Sequence, residues 1–370
     1  MKTNRQTLHH LFETQQIDLR RGTIFDTSPE PLPEDFDFGR VEGMMLGLAI
    51  GDSLGNTTEG KLPGDRRARY GEIRDYLPNR HANGQAIGLP SDDTQLAFWT
   101  LEQMIADGGL NPEHLAARFC RDHIFGSGHT VRDFIRNYKS VRMSWYKCGV
   151  KSAGNGALMR IAPMVIPHLK TGTPDLWVDT ALSAMVTHND SGSIAACLSF
   201  VNMIWQLFSM TTPPQPDWWP ETCVEIAKDL ERDTYCPRGG DFVDYRGPIW
   251  RFVEEKVGEV YDKGLSVVDA CNSWHSGAFL LETVPSAFFI LMRHGDNPEE
   301  AIIRAVNDTR DNDTIAAVVG AAVGALHGKG KIPERWLSNL SGRTMAGDDG
   351  RIFELLTEAR RIWWDYYGAD

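Results

Sequence analysis

The run AAVVGAAVGALHG (316–328) is built almost entirely of small residues, so neighbouring backbones can approach it closely. Such a composition suits a tightly packed central helix. A second segment, GMMLGLAIGDSLG (43–55), has the same character. From Val41 onward the chain reads as successive apolar runs of helical period with little strand alternation. These are Thr94–Ala106, Pro112–Phe119, Asp175–Met185, Ser193–Leu207, Glu221–Glu231, Val284–Arg293, Pro298–Val306 and Asp313–Leu326. Asn111-Pro112, Thr173-Pro174 and Asn297-Pro298 each set a capping residue before a proline at a first helical turn. Gly108, Gly295 and Gly328 follow apolar runs where a left-handed terminator is useful. No strand–helix alternation implies a parallel sheet, and no fixed-period repeat is present. The expectation is all-α: one helical domain over residues 39–370, preceded by an extension, residues 1–38.

The extension differs in kind. A short helix is expected from Gln6 to Gln15, and the acidic, proline-rich TSPEPLPEDFD (27–37) should form no regular element. With its arginine pair, Arg20-Arg21, it suits either a strap over its own domain or an arm that threads into a partner's cleft. TTPPQPDWWPE (211–221) and RDTYCPRGGDFVDYRGP (232–248) read as an irregular excursion from the helical core.

Thirty-eight Lys and Arg against fifty Asp and Glu leave a formal charge of −12, which repels nucleic acid and anionic membrane surfaces. No apolar run is long enough to span a bilayer, and the opening residues lack the features of a secretory signal. The six cysteines form no CxxC pair and suit reduced thiols. A cytoplasmic protein is expected.

The chemistry concentrates in two short segments, Ser91-Asp92-Asp93-Thr94 and Asp311-Asn312-Asp313-Thr314, each where a polar loop turns into an apolar helix. An acid at a helix start is explained by capping and the macrodipole. Capping explains one acid, however, and each segment has two beside a hydroxyl. Adjacent ionised carboxylates need a cation or a proton to coexist. An all-oxygen set suits Mg²⁺ or Mn²⁺ and is poor for zinc or copper. If the two helix starts meet, the set has room for two ions. Asp52 and Glu59 stand near a glycine-rich turn at the end of the 43–55 segment.

Lys151–Arg160 (KSAGNGALMR) is a glycine-flanked turn entering a helix, a form that can present N–H groups to a pyrophosphate, although an ordinary turn has the same appearance. In Thr187-His188-Asn189-Asp190 the histidine is either a hydrogen-bonding group or part of a helix C-terminal cap. Gly51-Asp52-Ser53-Leu54 spells the signature of GDSL-type esterases. The lead-in to Ser53 is rich in Met, Gly and Ala rather than a run of β-branched residues, and no downstream Asp-x-x-His follows.

The order GMMLGLAIGDSLG…Glu59, SDDTQLA, SAGNGALMRIAPM, THND, ETVPSA and NDTRDNDTIAAVVGAAVGALHG resembles the ADP-ribosylglycohydrolase family, from about Arg40 to about Gly330. The resemblance implies a compact orthogonal bundle of helices and two Mg²⁺ or Mn²⁺ ions. It also implies hydrolysis of the N-glycosidic bond between ADP-ribose and a modified protein side chain, arginine by resemblance to the bacterial branch. By position Ser91, Asp92, Asp93, Asp311, Asp313 and Thr314 would be metal ligands. Glu59, Asp92 and Asp313 would be catalytic, and Ser152, Gly154, Asn155, Gly156 and His188 would line the ADP-ribose cleft. Two departures stand out: Thr309-Arg310 where the family commonly has two glycines, and Asn312 between the acids. Arg310 would either compete with the metals or contact substrate phosphate. Some relatives act as immunity proteins, so an ADP-ribosyltransferase toxin, bound through the extension, is the alternative partner to an ADP-ribosylated protein substrate.

Overall fold

The computed structural model describes residues 2–365. Among them there are helices and four isolated bridges but no strand. The principal elements are α1 (Asn4–Glu13), α2 (Gly39–Gly55), α3 (Asp92–Asp107), α4 (Asp175–Thr187), α5 (Ser191–Leu207), α6 (Trp218–Leu230), α7 (Leu280–His294), α8 (Pro298–Asp308) and α9 (Asn312–His327). No helix is long and apolar enough to cross a membrane. All six cysteines are free.

The centre of the bundle is the pair α2 and α9, antiparallel and in backbone contact. Glycines recur every fourth residue along α2 and meet small residues of α9. A Cβ placed on Gly43, Gly47 or Gly51 would fall 2.5, 2.1 or 2.0 Å from the carbonyl oxygen of Gly324, Gly320 or Ala316. From the other side, a Cβ on Gly320 or Gly324 would stand 2.1 or 2.0 Å from the oxygen of Gly47 or Gly43. Neither helix has a polar face: α2 is buried from Val41 onward apart from Glu42, and α9 along all but its last residue. Ridge-into-groove packing by larger side chains would hold the axes ~8–10 Å apart. Removing those side chains brings the end of α2 directly against the start of α9.

The caps follow the sequence with two exceptions. Asn111 and Asn297 cap their helices through the side chain, and Gly108 adopts the left-handed conformation (φ 73°). Gly295 does not: at φ −62° it stays right-handed, and the chain turns instead at Asn297, the cap of α8. Thr173 makes no cap bond to the backbone; α4 begins after Pro174. The structure also starts α7 at Leu280, a turn before the expected Val284. One tertiary and one local bond hold that turn despite Pro285: Leu280 N–H donates to Ala153 O (2.8 Å), and within the helix the Ser286 hydroxyl donates to Glu282 O (2.7 Å).

The extension is a strap. Leu8, Leu11, Ile17, Leu19, Ile24 and Phe25 are buried in the common core. Asn4 donates to Asp179 Oδ1 (2.7 Å), and the indoles of Trp177 and Trp205 donate to the carbonyls of Thr27 and Glu30 (2.8 and 2.7 Å). The proline-rich stretch has no regular structure, as expected, but its backbone carbonyls serve as partners for the core.

Two outcomes follow. Gly320→Val should destabilise the protein by at least the ~1–3 kcal/mol typical of overpacking, since a backbone carbonyl cannot rotate away; Gly64→Ala, with nothing within 4 Å of its Cβ, is the control in a thermal melt. Deleting residues 2–26 uncovers six apolar side-chain sites worth roughly 1.5–3 kcal/mol each. The truncated chain should melt far lower or be recovered insoluble, whereas a melt matching the full chain would show the strap to be dispensable.

Candidate metal centre and ligand cleft

The α2–α9 contact sets the last turn of α2 beside the first turn of α9, and α3 starts at the same point. Asp52 is fully buried one turn from the end of α2, where a charge is admitted only with hydrogen-bonding partners. It has them. The backbone N–H groups of Ser91 (2.9 Å) and Thr94 (3.2 Å) donate to Asp52 Oδ2, and both hydroxyls donate to the same carboxylate. Ser91 occupies the cap position of α3, yet its own side chain makes no capping bond. Asp52 therefore caps α3 from another helix, and Asp92 and Asp93 are left free of that duty.

Asp93 is buried, and its Oδ1 has no hydrogen-bond partner. Carboxylate oxygens of Asp52, Asp93 and Asp313 lie within 4.8 Å of one another, as do those of Glu59, Asp311 and Asp313. Asp313 belongs to both groups. The second acidic segment is held rigidly. Asp311 Oδ2 accepts from Asn155 Nδ2, which also donates to Thr283 Oγ1 (3.0 Å). The Asp311 N–H donates to Ser276 O (3.0 Å), in a turn where His275 and Ser276 both take positive φ (77° and 43°). Such strain in non-glycine residues persists only where surroundings impose it. Asn312, the unusual residue between the acids, donates to Gly55 O (3.0 Å), Thr58 Oγ1 (3.0 Å) and Val306 O (3.1 Å), tying the start of α9 to the end of α2. Arg66, fully buried, bonds the carbonyls of Asn307, Thr309 and Lys61 and so fixes the loops on either side.

Burial raises Asp92, Asp93, Asp311, Asp313 and Glu59 above the ordinary carboxylate range, and for all but Asp311 repulsion from neighbouring acids comes next. Asp92 is pushed up to about 8 by burial and then by Asp52. Asp93 and Asp313 move up strongly, and Asp311 and Glu59 move the same way, burial first in each case. Carboxylates in this state take up either protons or cations. An orphaned buried oxygen and an all-oxygen donor set fit a hard divalent cation such as Mg²⁺ or Mn²⁺.

The cage forms one wall of a cavity of about 280 Å³. Glu59, Asp92, Asp93, Asp311, Asp313 and Thr314 line it, together with Ser152, Gly154, Asn155, Gly156 and His188. Segments far apart in sequence thus converge as the sequence suggested, with one exception. Ser91 does not line the cavity; its hydroxyl is donated to Asp52. His188 is buried and held neutral, down at about 3, by burial and by nearby Arg160. It packs flat on the turn, and a Cβ on Gly156 would fall 2.9 Å from its Cε1. The glycine turn leads into a three-residue 3-10 turn, Leu158–Arg160, rather than an α-helix, so no macrodipole acts there.

Arg310 does not line the cavity; its backbone bonds Ser276, and the cation facing the cleft is Arg238, from the irregular 232–248 segment. Nothing in the sequence marked it. Asp52 was visible only as a charge within an apolar small-residue helix. Ser53, the nucleophile of the esterase reading, is buried in α2 with no partner for its Oγ, which ends that reading.

Residues 33–362 match the ADP-ribosylglycohydrolase family, and the chain belongs to it. It is a glycosidic-bond hydrolase by that membership. It is 28% identical over 305 residues to the ADP-ribosyl-[dinitrogen reductase] glycohydrolase of Rhodospirillum rubrum, covering 81% of this chain and 90% of that protein. Over 334 residues it is 26% identical to the ADP-ribosylarginine hydrolase Tri1 of Serratia proteamaculans (85% and 79%). A solved ADP-ribosylglycohydrolase-related protein complex superposes with a TM-score of 0.64 at 25% identity, over 88% of this chain and 97% of that one.

The raised acids make a signed prediction. A carboxylate whose folded pKa exceeds its unfolded value makes the fold less stable as pH rises between the two. In EDTA, the melting temperature should therefore fall from about pH 4 towards about pH 8, where Asp92 titrates. Saturating Mg²⁺ or Mn²⁺ should flatten that slope and raise the melt. A melt indifferent to both pH and divalent cation would show that these acids share no ion.

Proposed function

We propose that the protein hydrolyses the N-glycosidic bond between ADP-ribose and a protein side chain, with arginine the preferred acceptor, and that its acidic cage holds two divalent cations. The single observation that carries this reading is the pair of carboxylate triads sharing Asp313, at a cavity that Asn155 and His188 also line. The names of the Serratia and Rhodospirillum relatives support the substrate class, and the former supports arginine.

Asp52, Asp93 and Asp313 would hold one cation, and Glu59, Asp311 and Asp313 the other, with Asp92 and Thr314 completing the set. Mg²⁺ or Mn²⁺ supplies Lewis-acid polarisation of ribose hydroxyls and water when bound. In the reaction a water oxygen bonds to the anomeric carbon, the carbon–nitrogen bond breaks, and the departing guanidino nitrogen keeps the bonding pair. Positive character develops on the sugar, and the fixed carboxylates of the cage stabilise it. Glu59, exposed at the edge of the cage with a raised pKa, is placed to accept the water proton. Asn155 keeps Asp311 in place, and His188 offers a neutral hydrogen-bonding ring to the ligand.

The alternative of a toxin-blocking extension has no support: the apolar residues of that segment are buried against their own domain.

The test is release of ADP-ribose from proteins modified at arginine or at serine, and from an ADP-ribosylated nucleobase, with and without EDTA. Release from arginine should predominate and vanish with the chelator. Asp93→Asn and Asp313→Asn should lower turnover on the order of 10²-fold or more while the helical circular-dichroism signal persists. Full activity in EDTA, or in either variant, overturns the proposal.

A further inference from the structure

We propose that Arg238 is a specificity-determining residue that grips the diphosphate of the ligand; this rests on the ADP-ribose reading above and names the protein group that recognises its anion. A diphosphate entering this cleft meets a cluster of acids. Two N–H groups of the glycine turn are already engaged: Gly154 donates to Ser152 Oγ (3.2 Å) and Asn155 to Ala278 O (3.2 Å). The Asn155 amide is given to Asp311 and Thr283, and His188 carries no charge.

Arg238 is the one lysine or arginine lining the cavity among the described residues. Its guanidinium is pre-set. Nε donates to Glu282 Oε1 (3.0 Å) and Nη2 to Oε2 (2.7 Å), the Arg238 backbone N–H adds a third bond to Oε1 (3.2 Å), and Glu282 is fully buried. The guanidinium also lies 5.4 Å from the centroid of Phe279, which lines the same cavity. Three of its five N–H bonds, two on Nη1 and one on Nη2, remain for an anion. Arginine is suited to this task because the planar fork matches two phosphate oxygens at once. Space for the pair is built in: a Cβ on Gly277 would sit 2.6 Å from Glu282 Oε2 and 3.1 Å from Arg238 Nη2. Phe279 in turn is fixed beside the glycine turn, since Ala278 O accepts from Asn155 N–H and Leu280 N–H donates to Ala153 O.

The experiment is calorimetric binding of ADP-ribose and of adenosine, in Mg²⁺, to the wild-type protein, Arg238→Ala, Arg238→Lys and Glu282→Gln. Arg238→Ala should weaken ADP-ribose roughly 10- to 100-fold, as expected for loss of charge-assisted hydrogen bonds, and leave adenosine within twofold. Arg238→Lys, which keeps charge but not the fork, should fall between. Glu282→Gln should cost several-fold by loosening the guanidinium. In turnover, Arg238→Ala should raise KM more than it lowers kcat. Arg238→Ala binding ADP-ribose as tightly as wild type overturns the proposal, as does equal loss of both ligands. If the wild-type protein binds no ADP-ribose, the ligand reading itself falls and takes this inference with it.

Discussion

Backbone contact between α2 and α9 is the constraint on which the other features depend. Where carbonyl oxygens of one helix stand about 2 Å from the positions that Cβ atoms of the other would occupy, no side chain can intervene. The closeness does more than fill space. It sets the last turn of one helix against the first turn of another, and the acids at those two ends, Asp52 and Asp313, become neighbours. A helix pair separated by leucines would carry the same acids too far apart to share an ion.

Electrostatics then divides labour among the acids. A helix start attracts a carboxylate, and α3 has two of its own. Asp52 reaches across to bond the N–H groups of Ser91, at the cap position of α3, and of Thr94 in its first turn, and Asp93 keeps an unpartnered oxygen. The result is a cluster that is unfavourable when fully ionised and becomes favourable with cations. Buried Glu282 follows the same logic: its charge is admitted to the interior with the guanidinium of half-exposed Arg238 as its partner.

Much of this was legible beforehand. Helical periodicity and asparagine–proline caps located most helices to within a turn, because those signals act locally. The paired acids at two helix starts were conspicuous, since capping accounts for one acid and not two. Other features left no local trace. Arg238 sits in an irregular segment whose course depends on Glu282 forty-four residues away. Ser91 was expected among the metal ligands, but its hydroxyl is donated to Asp52, a partner visible only once the helices pack. Gly295 and Thr173 fit common terminal patterns, yet Gly295 closes its helix in a right-handed conformation and Thr173 leaves the start of its helix to Pro174.

The chain alone determined its helices, its small-residue central pair and its inventory of carboxylates, all of which follow from side-chain size, period and charge over short stretches. Only the tertiary structure decided which acid caps which helix, that residues 4–26 bury themselves against their own domain, and which cation faces the cleft. The reason is physical: those outcomes depend on partners remote in sequence, and a buried charge or apolar side chain settles wherever its partner has been carried by the rest of the fold.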